Sequence, residues 1–312
     1  MTPPALANTR VYRHHHLDST RWDHIAYRDD DIVISTPYKC GTTWTQQITC
    51  ALLHGPGVPI TRELTPWIDS RFGGPIEDIA ATAEAQTERR FFKSHLPLDG
   101  TRWDERVRFI VVGRDTRDVF MSLVNHYSAY GDVALGQLNT PDTPGEAMPK
   151  FNGDVHELWR NWISRGSFPW ETDGWPFWSF HHHLSTWWTA RNEPNVLFVH
   201  YADLKADPVS EVTRLTAFLG IDKTATEIDD VAAATEFSAM KAMALKHEAE
   251  EGGPDGAFLE GGIDRFIFQG TNGRWRDVLT AEELVQYEDK MATLEPSLRA
   301  WLENGRAGVN PG

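Results

Sequence analysis

One stretch, residues 31–54, constrains the fold more than any other part of the chain: DIVISTPYKCGTTWTQQITCALLH. Its short apolar run leads into a turn that begins with Pro37 and contains Gly41, and a helical pattern of apolar residues follows. In a strand, glycine-bearing turn and helix N-terminus, backbone N–H groups and the positive end of the helix point at an anion. The stretch therefore predicts a phosphate-type binding turn.

The polar residues of this turn agree with that interpretation but do not form a Walker A loop. Lys39 adds a positive charge, and Thr42 and Thr43 add hydroxyl donors. A Walker A loop has its lysine directly after the second glycine, whereas Lys39 precedes Gly41. The sequence thus predicts an anion site of a different kind.

Apolar strand candidates alternate with helical segments along the chain. They cover residues 32–34, 90–93, 107–112 and 195–199, and a further helix is expected near residues 76–85. This alternation predicts an α/β fold with a parallel, doubly wound sheet. We expect a single domain, with a lead-in at 1–30, the domain proper at 31–300 and a tail at 301–312.

Several helix ends can be predicted from capping residues. Asp115 is expected to cap one helix, and Asp207, followed by Pro208, is expected to begin another that ends at Gly220. Thr280 begins a capping box. Residues 131–155 and 247–262 lack periodicity and are expected to be loops or lids.

Composition excludes several classes of function. The formal net charge of −15 argues against nucleic acid and against an anionic membrane surface as general partners. The only cysteines, Cys40 and Cys50, exclude a disulfide scaffold and favour a reducing compartment. With no secretory h-region and no run of about 18 apolar residues, we expect a soluble cytoplasmic protein.

In open α/β sheets, ligands bind beyond the carboxyl ends of the strands. The residues expected there are Lys39, His95, Arg114 and Tyr201. None of them is a carboxylate of the kind that holds magnesium in kinases. The set predicts group transfer from an anionic donor without a metal.

Four segments, in this order, resemble the cytosolic-type sulfotransferases, which use 3′-phosphoadenosine 5′-phosphosulfate (PAPS) and release adenosine 3′,5′-bisphosphate (PAP). The matching segments are KCGTTW at 39–44, KSHLP at 93–97, GRDTRDVFMS at 113–122 and GTNGRWRDVLT at 270–280. Trp187 and Trp188, followed by NVLFVHYADL at 195–204, are also similar. The resemblance spans about residues 30–290 and implies a P-loop NTPase-like sulfotransferase fold with a central parallel sheet flanked by helices.

The resemblance also implies catalytic roles. His95 is the general base that takes the proton of the acceptor hydroxyl, a task suited to a pKa near neutrality. Lys39 stabilises charge on the departing bisphosphate, and Lys93 assists at the sulfonyl oxygens. The implied acceptor is a small molecule that carries a hydroxyl or an amine. The resemblance implies no metal.

The resemblance assigns the donor nucleotide to a larger set. The residues at 41–44 hold the 5′-phosphate, Arg114 and Ser122 hold the 3′-phosphate, and Trp44 and Phe237 sandwich the adenine. The complete donor-binding set is Lys39, Cys40, Gly41, Thr42, Thr43, Trp44, Arg114, Ser122, Tyr201, Thr235, Phe237, Gln269 and Gly270.

The chain departs from the family's pattern in two places. Cys40 stands where the family usually has serine, and a thiol is the weaker donor. Phe268 and Gln269 stand where the family has Arg-Lys before Gly270, so two cations expected at the 3′-phosphate are missing. Arg265, Arg274 and Arg276 are the candidates to replace them.

Other interpretations stay open at this point. The chain could be a P-loop nucleotide kinase, which the lysine position opposes, or a non-catalytic bisphosphate binder, which Lys39, Lys93 and His95 oppose. The triplets at 14–16 and 181–183 could suggest a metal, but consecutive histidines do not converge on one point. One histidine of 181–183 could line the acceptor pocket, and the tryptophans of 159–188 are favoured as core. The acceptor and the oligomeric state cannot be predicted.

Overall fold

The computed structural model describes residues 4, 5, 7–251, 258–309 and 311. Within these residues the sheet has four parallel strands, ordered β2-β1-β3-β4. The strands are β1 (Ile32–Ser35), β2 (Phe91–Ser94), β3 (Arg108–Gly113) and β4 (Val196–His200). The chain leaves β1 on one side to form β2 and returns to the other side for β3. The carboxyl ends of β1 and β3 therefore flank the switch point where ligands bind in such sheets.

The strands are buried on both faces, so helices must cover both sides of the sheet. The helices are α1 (Thr42–His54), α2 (Ile76–Ala85), α3 (Thr116–Tyr127), α4 (Asp132–Leu138), α5 (Val155–Ser164), α6 (Phe180–Trp188), α7 (Tyr201–Ala206), α8 (Pro208–Leu219), α9 (Ala225–Ala234), α10 (Phe237–Glu251), α11 (Gly262–Phe266), α12 (Ala281–Met291) and α13 (Pro296–Asn304). Short 3-10 helices occur at Ser19–His24, Leu98–Gly100, Arg274–Asp277 and Gly305–Ala307. This is the predicted α/β architecture.

The capping residues act as predicted. The Asp115 carboxylate accepts the backbone N–H groups of Arg117 and Asp118 at the start of α3. Thr280 and Glu283 form a complete capping box at the start of α12. Asp207 caps α8, which ends at a left-handed Gly220.

The expected loop at 131–155 is wrong in its first part, where α4 forms. Gly131 caps this helix, and it buries Ala134 and Leu138 one turn apart, a pattern too short to distinguish from a loop in the sequence. Of the expected loop at 247–262, residues 252–257 lie outside the described residues. Its first part continues α10, and Leu259 bridges to Tyr130.

Both terminal segments pack onto the same core. Tyr12, Leu17 and Trp22 of the lead-in are buried. Trp301 is fully buried beneath Gly113, where a Cβ would lie 2.4 Å from the indole ring. The boundary placed at residue 300 thus falls inside α13. Among the described residues, no helix is long and apolar enough to cross a membrane.

Candidate active site

The turn after β1 curls its backbone around a small concave site. Lys39 has a φ of 52° and Gly41 a φ of 104°, left-handed values that turn successive N–H groups to one side. A Cβ on Gly41 would also lie 2.9 Å from the Tyr201 ring. Since the first N–H groups of α1 have no acceptor within the helix, the turn and the helix start form an anion site.

A cavity of about 330 Å³ opens from this turn along the carboxyl edge of the sheet. It collects most of the residues predicted for the site. These are Lys39, Gly41, Thr42, Thr43, Trp44, Lys93, His95, Arg114, Ser122, Tyr201, Phe237, Gln269 and Gly270. Residues from six separate stretches of the sequence therefore meet in one place.

Two predicted residues, Cys40 and Thr235, are not part of the cavity lining. The Cys40 thiol donates to the Tyr38 carbonyl oxygen at 3.1 Å, and burial raises its pKa to about 12. The Thr235 hydroxyl donates to the Val231 carbonyl oxygen at 2.8 Å at the end of α9. Each side chain is hydrogen-bonded to the backbone of its own segment.

His95 follows β2 and is held in one tautomer. Its Nδ1 lies 2.7 Å from the Thr36 carbonyl oxygen and 3.1 Å from the Thr36 hydroxyl. Because a carbonyl oxygen only accepts hydrogen bonds, Nδ1 carries the proton and Nε2 keeps its lone pair. The ring is clamped by Trp67 and Trp178, with centroid distances of 4.8 and 5.2 Å.

Burial holds the pKa of His95 well below its usual 6.5, and the nearby charges of Lys93 and Lys39 lower it further. The imidazole is therefore neutral at neutral pH, the state that a general base requires. The two ammonium groups themselves lie over aromatic rings. Lys93 Nζ is 4.2 Å from the Trp67 ring centroid, and Lys39 Nζ is 5.2 Å from that of Phe266.

Asp69 supports this arrangement, and sequence reasoning missed it. Its carboxylate accepts the backbone N–H of His95 at 3.0 Å and the indole N–H groups of Trp67 and Trp22 at 2.8 and 3.1 Å. It therefore fixes both the base and the aromatic wall beside it. Asp69 lies in a proline-containing stretch without periodicity, so no sequence signal distinguished it.

Arg114 follows β3 and forms hydrogen bonds with two segments, the turn after β1 and residues 271–272. Its guanidinium donates to the carbonyl oxygens of Lys39 and Thr271, at 3.3 and 3.1 Å, and to Asn272 Oδ1 at 2.7 Å. It also lies over the Tyr201 ring, 4.1 Å from the centroid. A cation anchored in this way is preorganised for a phosphate.

Aromatic side chains line the cavity beside the turn. Trp44 packs edge-to-face on Tyr201 with a centroid distance of 5.5 Å. Gly270 has a φ of 61°, and a Cβ there would lie 2.7 Å from the Phe237 ring. Only glycine lets the chain approach Phe237 this closely, which explains why residue 270 is a glycine.

Away from the turn, the cavity is lined by aromatic residues that the sequence did not indicate. Phe72 stacks on Phe258 at a centroid distance of 4.9 Å. The Tyr130 hydroxyl lies 3.1 Å from His16 Nε2 and 3.3 Å from His126 Nε2. These groups form a short polar strip within an apolar wall.

The histidine triplets do not assemble a metal site. His181–His183 are absent from the lining: His183 Nε2 contacts the Ser35 hydroxyl at 3.0 Å, and His181 Nδ1 lies 3.2 Å from Asp173. In the part of the chain that the structure describes, no group of three or more candidate ligands converges. His16, from the other triplet, lines the cavity instead.

The fold and site define an α/β group-transfer enzyme with a P-loop-like anion site. The family model for the sulfotransferase domain matches residues 29–295. The chain therefore belongs to the sulfotransferase family, as its four segments predicted, and is a transferase of that class. The nucleotide-kinase alternative is not supported.

Curated relatives and solved structures agree with this assignment. A glycolipid sulfotransferase of Mycobacterium bovis (strain BCG / Pasteur 1173P2) is 35% identical over 319 residues, covering 96% of both chains. One from Mycobacterium tuberculosis (strain ATCC 25177 / H37Ra) is 34% identical with the same coverage. Mouse sulfotransferase SULT7A1 complexed with PAP shares the fold, with a TM-score of 0.67, 22% identity, and coverage of 92% of this chain and 93% of that chain.

Proposed function

We propose that this protein transfers the sulfonate group of PAPS to a hydroxyl of an acceptor with an apolar body, giving a sulfate ester and PAP. The observation that carries the proposal is the meeting, in one cavity, of a neutral His95 with Lys39, Lys93 and the anion-binding turn. The alternative of a non-catalytic bisphosphate binder does not explain why His95 is held with a free lone pair on Nε2.

The cavity residues fit a nucleotide that carries several anionic groups. Among the described residues, four N–H groups of its lining are buried without an acceptor: Nε of Arg114, Nε of Arg274, Nε1 of Trp44 and Nε1 of Trp178. A buried donor without a partner is unfavourable by about 1–3 kcal/mol. Phosphate oxygens and ring nitrogens supply the missing acceptors, which supports PAPS as the donor.

The proposed reaction is an in-line displacement at sulfur. His95 Nε2 takes the proton of the acceptor hydroxyl while its oxygen forms a bond to sulfur. The bond between sulfur and the bridging phosphate oxygen breaks, and its electron pair stays with PAP. Lys39 stabilises the charge on that oxygen, and Lys93 that on the sulfonyl oxygens. Every step uses side chains of the chain itself, and no metal is invoked.

The acceptor class follows from the wall opposite the turn. Phe72, Phe258 and Trp67 present apolar faces, whereas Tyr130 and His16 add polar groups among them. An amphiphile with an apolar body and several hydroxyls matches both features. The mycobacterial relatives are named as glycolipid sulfotransferases, which supports the same class. Cys40 and Cys50 are buried free thiols, and we place the reaction in the cytoplasm.

The proposal is tested by supplying PAPS with a radiolabelled sulfonate to the purified protein. The acceptors are a glycolipid, its free sugar headgroup, a long-chain alcohol and a simple phenol. We expect label in the glycolipid and in the long-chain alcohol, with the free sugar poorest because it fills none of the apolar wall. Labelling of the free sugar alone would contradict the acceptor class, and no transfer to any acceptor would contradict the reaction.

The low pKa of His95 gives a prediction about pH. A general base acts while neutral, so kcat/KM is lost only as pH falls through the pKa of the folded free enzyme. With a pKa well below 6.5, we expect kcat/KM to stay nearly constant from about pH 8 to about pH 6, where a base of ordinary pKa retains only about a quarter of its activity. The measurement is a kcat/KM profile with a non-titrating acceptor.

Lys93→Gln supplies the matched comparison for this profile. Removing that positive charge lets His95 protonate more easily, so the acid limb should move to higher pH. A wild-type profile already halved near pH 6.5, or an unmoved limb in Lys93→Gln, would contradict the account.

A further inference from the structure

The segment before Gly270 lacks the two cations that the family resemblance implies, since Phe268 and Gln269 occupy those positions. Both replacements line the cavity. The cavity itself therefore lacks these two positive charges. Arg114 is then the one implied cation left for the 3′-phosphate. A group that carries nearly two negative charges at neutral pH is better matched by two guanidinium groups.

Of the three candidate replacements, the structure separates one from the others. Arg265 donates to the Ser128 hydroxyl at 2.7 Å, and Arg276 is exposed with its guanidinium 4.5 Å from the Trp275 ring centroid. Neither lines the cavity. Arg274 does, together with Ser122.

The Arg274 side chain is positioned by the helix that carries Ser122. Its Nη2 donates to the carbonyl oxygen of Met121, the residue directly before Ser122, at 3.2 Å. Its Nε is buried, and the described part of the chain offers it no acceptor. The same is true of Arg114 Nε. Two guanidinium groups thus each keep a buried donor at the same end of the cavity.

The charges around Arg274 favour an anion there. Burial lowers the pKa of Arg274, the positive charge of Arg114 lowers it further, and Asp118 partly opposes them. Asp118 already accepts the backbone N–H of Gly273 at 2.6 Å. A bound anion would offset the repulsion between the guanidinium groups and accept their unpaired N–H donors.

We propose that Arg274, beside Arg114 and Ser122, binds the 3′-phosphate of the donor in place of the two cations missing before Gly270. This inference rests on the proposed function, because it assumes an adenosine 3′,5′-bisphosphate in the cavity. Arg274 then determines the preference for a 3′-phosphorylated nucleotide. It also explains how a site with Phe268 and Gln269 keeps that preference.

The test compares calorimetric binding of PAP with that of adenosine 5′-monophosphate, which lacks the 3′-phosphate. Wild type should prefer PAP. Arg274→Gln should weaken PAP by about 10- to 100-fold, the range expected for hydrogen bonds to a charged group, and change the monophosphate by less than about twofold. Arg276→Gln, on the same short segment but exposed, should change neither ligand, and Arg274→Lys should restore part of the PAP affinity.

The outcomes separate the two proposals. If wild type binds no PAP, the proposed function fails. If wild type prefers PAP and Arg274→Gln keeps that preference, the inference is overturned while the function stands. Equal losses of both ligands in Arg274→Gln, not relieved by Arg274→Lys, would make Arg274 a structural residue and also overturn the inference. Retained monophosphate binding shows that a variant is folded.

Discussion

Replacing His95 with asparagine should lower kcat by about 10²- to 10⁴-fold, the contribution typical of a positioned general base. PAP binding should change by less than about twofold, because His95 is not among the implied nucleotide contacts. Asparagine is smaller than histidine and keeps a polar group that can donate to the Thr36 carbonyl oxygen. Steady-state kinetics with calorimetry of PAP measures both quantities.

The control is His24→Asn, since His24 is exposed and outside the cavity lining. It should retain wild-type kcat. If His95→Asn loses PAP binding together with turnover, His95 maintains the site and the catalytic role is wrong. A retained kcat would exclude His95 as the base.

Replacing Lys39 with methionine should lower kcat by about 10²- to 10³-fold, the range found when one preorganised donor to a developing negative charge is removed. The effect on the KM for the acceptor should be small, because Lys39 belongs to the anion-binding turn. Methionine keeps the length of the side chain and its packing over Phe266. Single-turnover kinetics measures the chemical step without product release.

Lys150→Met is the matched control, because Lys150 is an exposed surface lysine paired with Asp132. Its kcat should equal that of wild type. A Lys39→Met enzyme with normal single-turnover rate but weak PAPS binding would place Lys39 in binding alone. That result would remove its proposed role at the leaving oxygen.

The sheet could be predicted from the sequence because each strand is a short apolar run bounded by polar or glycine residues. The predicted strands at 90–93, 107–112 and 195–199 differ from β2, β3 and β4 by one residue at their ends. Capping residues such as Asp115 and Thr280 fixed helix starts, since a cap acts through local hydrogen bonds. Helix α4 was missed because its two buried residues, one turn apart, do not establish a period.

The turn, the base and the cations were predictable because they follow strands whose carboxyl ends must meet. Asp69, His16 and Tyr130 were not, since long-range packing alone brings them to the cavity. The Cys40 thiol and the Thr235 hydroxyl show a second limit of prediction from sequence, because both were predicted for the site and neither lines the cavity. A motif places a residue in a segment, but the backbone acceptor to which its side chain donates is visible only in three dimensions.

The central claim is that sulfonate moves from PAPS to an acceptor and not to water. The most direct measurement quantifies PAP, sulfate ester and inorganic sulfate in one reaction of the purified protein with radiolabelled PAPS and a glycolipid. The account predicts PAP and ester in equal amounts, and almost no PAP when the acceptor is omitted. Absence of PAP formation, or PAP accompanied by inorganic sulfate at the same rate without acceptor, would contradict it.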